Sequence, residues 1–144
     1  MKQTTLFVSL ITIFLVTLLL AACGSGSGNA PAGKTIATAS AGNNLTATIA
    51  NADGSLRKGS QEFTLTFTNA SGKTVDVGSV AFNNHMAAMG SMGAMNNSAT
   101  LKTTGTPGVY SGKIEVEMAG EWQAQITYEG AAGKGSFAIP IIAK

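Results

Sequence analysis

Four methionines fall at a spacing of three within one short stretch: Met86, Met89, Met92 and Met95. His85, the one histidine of the chain, precedes them, and Gly and Ala fill most of the gaps. A thioether is a neutral, polarisable donor. Soft sulfur selects Cu(I), and imidazole is a good copper ligand as well. Small residues between the sulfurs let a loop curl so that several of them meet one ion. Methionine also makes an adaptable patch for an apolar partner, or simple packing under a loop.

The spacing tests the packing alternative. In a strand, a step of three alternates faces, so the four cannot line one core. In an α-helix each step falls about 60° short of a full turn, and the set fans over half the surface. Gly90 and Gly93 weaken such a helix further. A 3₁₀ helix would align them, but runs beyond three or four residues are uncommon. Asn83 to Asn97 is therefore expected to be a flexible loop between two strands, with methionines that bind something. The expected ligands of a copper ion are His85, Met86, Met89 and Met92, with Met95 as a spare. Met118 has the inward parity of its strand, so packing comes first for it and ligation second.

The rest of the composition narrows the chemistry. One His and one Cys cannot make a Cys/His zinc site, which needs about four such ligands, nor a disulfide within the chain. No dinucleotide-binding or phosphate-binding glycine motif is present. Nothing around His85 resembles a nucleophile elbow. A non-catalytic protein is expected. Nine Lys and Arg stand against seven Asp and Glu with no basic run, so no nucleic-acid partner is expected.

The start of the chain reads as an address. Met1-Lys2 is positive, Leu6 to Leu20 is apolar apart from Ser9, Thr12 and Thr17, and Leu20-Ala21-Ala22-Cys23 follows. That order is a secretory signal. Cys23 directly after the small residues resembles the bacterial lipoprotein signal, which implies that this Cys is lipidated and becomes the mature N-terminus. Residues 1–22 are then the signal peptide, 23–34 a flexible tether, and 35–144 one domain. The protein is expected outside the cytoplasm, held to a bacterial membrane by its lipid.

From Thr35 onward the apolar period is two. Leu45, Ala47 and Ile49 alternate with Thr46 and Thr48, and Phe63, Leu65 and Phe67 with Thr64 and Thr66. Val75 and Val77 start a run that Val80 and Phe82 continue. Tyr110, Gly112, Ile114 and Val116 share a face, as do Trp122, Ala124, Ile126 and Tyr128; Phe137, Ile139 and Ile141 close the chain. Runs of this length with one polar face are half-buried strands. An all-β, immunoglobulin-like antiparallel sandwich of about seven strands is expected, with Trp122 and Tyr110 in its core.

The Met-rich run, Gly108-Val-Tyr-Ser-Gly112, the strand ending in Met118-Ala-Gly120, and Glu121-Trp122 together resemble the YtkA-like domain family over roughly Ala37 to Ile142. The chain departs from the family pattern at Ala87 and Ala119, where relatives often carry Pro. The resemblance implies an immunoglobulin-like sandwich on a small extracytoplasmic lipoprotein. It also implies copper handling, with a recipient protein such as a respiratory oxidase. The expected function is a membrane-tethered Cu(I)-binding protein. The rival is an adaptor lipoprotein whose methionine loop docks a protein partner.

Overall fold

A computed structural model of the chain describes residues 33–144. The signal at 1–22, Cys23 and the tether as far as Ala32 lie outside the described residues. Nine strands follow in order: β1 (Lys34–Gly42), β2 (Leu45–Asn51), β3 (Gly59–Asn69), β4 (Ser79–Met86), β5 (Met95–Ser98), β6 (Thr100–Thr103), β7 (Val109–Val116), β8 (Gly120–Gly130) and β9 (Gly133–Ala143). They form a five-stranded sheet, β1-β2-β3-β7-β6, and a four-stranded sheet, β5-β4-β8-β9. Every strand pairing is antiparallel. This is the expected sandwich, with nine strands in place of about seven.

The alternation explains the core. On β7, Tyr110, Gly112, Ile114 and Val116 are buried while Ser111, Lys113 and Glu115 are exposed. On β8 the buried set is Trp122, Ala124, Ile126 and Tyr128. These face Phe63, Leu65 and Phe67 of β3 and Ile139 and Ile141 of β9 in one cluster. Each large apolar side chain so buried contributes about 1.5–3 kcal/mol. Gly112 sits opposite Phe63, and a Cβ there would run into the Phe63 ring.

Three strands have weak signals in the sequence. β1 is an edge strand of mostly small and hydroxyl residues, and β5 and β6 have four residues each. Ala99 alone separates β5 from β6, carries the chain from one sheet to the other, and donates its N–H to Phe82 O at 2.9 Å. The strand expected to begin at Val75 begins instead at Ser79. The Asp76 carboxylate accepts the Gly78 N–H at 2.9 Å, a local turn that competes with the ladder.

The two ends of the sandwich are built differently. At one end Phe67 packs against Tyr110, Tyr128 and Phe137, with ring centroids 6.0, 5.5 and 6.2 Å apart. The Tyr128 hydroxyl donates to Ala41 O at 3.0 Å and accepts from Asn43 Nδ2 at 2.9 Å. The Tyr110 hydroxyl lies 2.9 Å from Gly78 O and 3.3 Å from Asp76 Oδ1. The opposite end gathers Lys34 paired with Asn51, Leu56 bridged to Ala143, and Gly120 paired with Ala143. The methionine-rich segment lies at this second end.

Candidate metal site

Asn83 to Asn97 is not a free loop. β4 runs through Met86 and β5 begins at Met95, with His85 opposite Asn96, Asn84 opposite Asn97, and Met86 opposite Met95. Ala87–Ala88 and Gly93–Ala94 then leave the ladder. Met89 and Met92 close a second bridge through both backbone hydrogen bonds, 3.1 and 2.9 Å long. Gly90 and Ser91 make the turn, and only Gly90 has positive φ, at 57°. Gly first in a two-residue hairpin turn is the II′ pattern, whose twist matches the flanking strands.

The spacing of three is thereby reinterpreted. A single strand cannot bring such residues to one face. A chain folded back on Gly90-Ser91 pairs 86 with 95 and 89 with 92, as two nested pairs. The expected ligand set separates into three places. Met86, 2% exposed, points into the core, and Met95, partly buried, packs against that core beside it. Met89 and Met92 stand at the hairpin tip, 52% and 41% exposed. His85 neighbours Met86 in the strand, so the two side chains take opposite faces. Its ring looks out of the four-stranded sheet, with Nδ1 2.9 Å from Asn96 Oδ1. It borders a cleft with Glu121, Gln123, Pro140 and Ile142. His85 and Met86 are thus not brought together.

Met118 joins the inner pair. It lies just past β7, partly buried against the core, which agrees with its inward parity. Trp122 Nε1 donates to Met118 O at 3.1 Å and pins the β7–β8 turn. Trp122 itself is 1% exposed, as expected of a core aromatic. Gly120 lies between them, and a Cβ there would come 3.0 Å from Met86 Cε. The Met86 methyl therefore rests on this turn. Three thioethers, of Met86, Met95 and Met118, border the same end of the core beside the Trp122 indole.

One polar side chain sits within this row. Asn84 is on the inward face of β4, between Phe82 and Met86, and is 0% exposed. Neither its Oδ1 nor its Nδ2 has a hydrogen-bond partner. A buried amide left unpaired costs about 1–3 kcal/mol. Thr66 Oγ1 is also unpartnered, but it lies on the outward face of β3 between Thr48 and Val109. Asn84 is the functional candidate that the sequence pattern concealed. The available signal was parity, since Phe82, Asn84 and Met86 occupy every second position of one strand.

The donor chemistry is narrow. Among the described residues no three His, Cys, Asp or Glu come together as a metal-binding group. The donors at this end of the core are neutral sulfurs and one neutral amide, a set whose chemistry suits a soft monovalent ion.

A two-sheet antiparallel sandwich with a methionine-lined end defines the class of this protein. Residues 39–127 match the YtkA-like family model, and the chain belongs to that family. The match runs from β1 into β8 and stops short of β9. No curated protein matches the chain.

Proposed function

We propose that this domain binds Cu(I) through its paired methionines and hands the ion to a recipient protein at a membrane. The observation that carries the reading is the nesting of the two Met pairs. The inner pair, with Met86 buried and Met95 partly buried beside Met118 and Trp122, holds the ion; the other, exposed at the hairpin tip, is where it enters and leaves. Thioether donors hold Cu(I) without a charge to neutralise or a proton to displace, and suit a carrier that must release its cargo.

The membrane part of the reading rests on lipidation of Cys23. A tether from Cys23 to Gly33 spans at most ~40 Å when fully extended. It enters the domain at Lys34, beside Asn51 and Gly54, at the methionine end of the sandwich. Anchored so, the hairpin tip is on the end of the sandwich from which the tether leaves, within reach of a membrane-bound recipient.

The test is a Cu(I) competition titration of the full-length protein in detergent against a chromogenic chelator. Met86→Leu with Met95→Leu keeps the apolar volume and removes both inner sulfurs. Affinity is expected to fall at least about a hundredfold, while stability changes by less than about 1.5 kcal/mol per site. Met89→Leu with Met92→Leu slows exchange and leaves affinity nearly intact. Loss of affinity in the tip variant alone moves the site to the tip. The exposure of Met89 and Met92 favours a second reading, in which the tip docks on a protein partner. Absence of Cu(I) uptake by the wild-type chain selects that adaptor role.

A further inference from the structure

We propose that Asn84 is a metal-site residue, its Oδ1 serving with the Met86, Met95 and Met118 sulfurs as a weak donor to Cu(I). The inference rests on the copper reading above and adds a residue to it. Its support is a local anomaly. The other polar groups that reach into the core are satisfied: Tyr128 by Ala41 O and Asn43, Tyr110 by Gly78 O and Trp122 by Met118 O. Asn84 alone on the inward face is fully buried with both amide ends unpartnered. Its cross-strand neighbours are Asn97 of β5 and Ala124 of β8. Ala124 has no polar side chain, and the Asn97 Nδ2 donates instead to Glu115 O at 3.1 Å.

A leucine at this position would fill similar space in the row from Phe82 to Met86 and remove the unpaired amide. An orphaned polar group between the sheets, where the tyrosine and tryptophan polar groups are all satisfied, calls for a ligand, and sites of function carry such local costs. Geometry agrees. Asn84 and Met86 are two apart on one strand and share a face, so their Cα atoms lie about 6.5–7 Å apart. That gap lets an amide oxygen and a thioether reach one ion between them. A neutral amide oxygen is a poorer donor to Cu(I) than sulfur. As the weaker donor it would tune the hold on the ion without anchoring it, and binding would relieve the orphaned oxygen.

The experiment uses full-length protein in detergent micelles, with Ag(I) as a redox-inert probe for Cu(I). Asn84→Leu is expected to raise the Tm of the metal-free protein and to weaken Ag(I) binding about tenfold. In wild-type protein labelled with ¹³C and ¹⁵N, Ag(I) is expected to shift the Asn84 ¹³Cγ and side-chain ¹⁵N signals together with the Met86 and Met95 methyl signals. A lower Tm for metal-free Asn84→Leu with unchanged Ag(I) affinity makes Asn84 a structural residue and overturns the proposal. Methyl shifts without any change at Asn84 overturn it too, even if the variant folds poorly. If wild-type protein shows neither methyl shifts nor Ag(I) uptake, the copper reading falls and this inference with it. Full retention of Ag(I) binding by Asn84→Leu sinks only the role of Asn84.

Discussion

The tyrosine end and the methionine end of this sandwich are made from the same strands by opposite rules. At the first, Phe67 is surrounded by three aromatic rings, and the hydroxyls of Tyr110 and Tyr128 are hydrogen-bonded across the gap between the sheets. The one buried group left unpaired there, the Thr66 hydroxyl, lies on the outer face of β3 and not between the sheets. At the second, flexible thioethers stand beside a single indole, a glycine makes room for the Met86 methyl, and the Asn84 amide is buried without a partner. Stability is concentrated where the polar groups between the sheets are hydrogen-bonded and the rings are packed. A binding site needs groups whose best partner is not yet present, and under the proposed copper role the thioethers and Asn84 at the other end are those groups.

The largest effect that could break this division comes from Phe67→Ala. Removing a fully buried ring is expected to cost about 3–5 kcal/mol in denaturant unfolding. The protein that remains folded should bind Cu(I) as the wild type does. If affinity collapsed while the fold persisted, the two ends would be coupled and the contrast between them would fail.

A smaller effect sharpens the stabilising role of the tyrosine end. Burial, and next the Asp76 carboxylate, push the Tyr110 phenol above its ordinary value of 10.0. The sign follows. Below about pH 10 the phenol is protonated in both folded and unfolded chains, and its contribution to stability is complete. At higher pH the unfolded chain loses the proton first, so stability falls as pH rises through the folded value. Tyr110→Phe should flatten this alkaline decline. It should also cost about 1 kcal/mol at neutral pH through the lost hydrogen bond to Gly78 O. Urea unfolding at pH 8 and pH 11 reads both effects; an undiminished decline in the variant assigns it elsewhere.

The smallest expected effect is at His85. Its ring is on the outer face, across the sheet from the inner thioethers, so His85→Ala should leave Cu(I) affinity within about twofold. The affinity should also stay nearly flat with pH in both proteins, because thioethers and amides have no proton to exchange in the working range. A tenfold loss in the variant would draw His85 into the site and require the hairpin to rearrange on binding.

The fold was largely readable because alternation is local. Phe63-Thr64-Leu65-Thr66-Phe67 and Trp122-Gln123-Ala124-Gln125-Ile126 each state their own strand and buried face, whatever the rest of the chain does. The same logic failed at Asn83-Asn84-His85-Met86. There the inward position is taken by a polar residue, so no apolar alternation marks the strand, and its last turn of ladder was read as loop. β5 and β6 have four residues each and no sustained pattern, which left them invisible for the same reason.

The sequence by itself determined which chemistry was on offer: a cluster of soft sulfurs, a single histidine, and no set of thiolates or carboxylates to compete with them. It also determined that the chain would form strands with one apolar face, since side-chain parity is a property of neighbouring residues. Which sulfurs could share an ion was decided by the tertiary structure. Hairpin closure at Gly90-Ser91 converts a spacing of three into pairs, and strand parity sends His85 away from Met86. Packing of the β7–β8 turn then brings Met118 and Trp122, more than twenty residues later in the chain, to the end where Met86 and Met95 meet. These relations join residues distant in sequence, and a ligand set forms only when a non-local pairing has chosen its members.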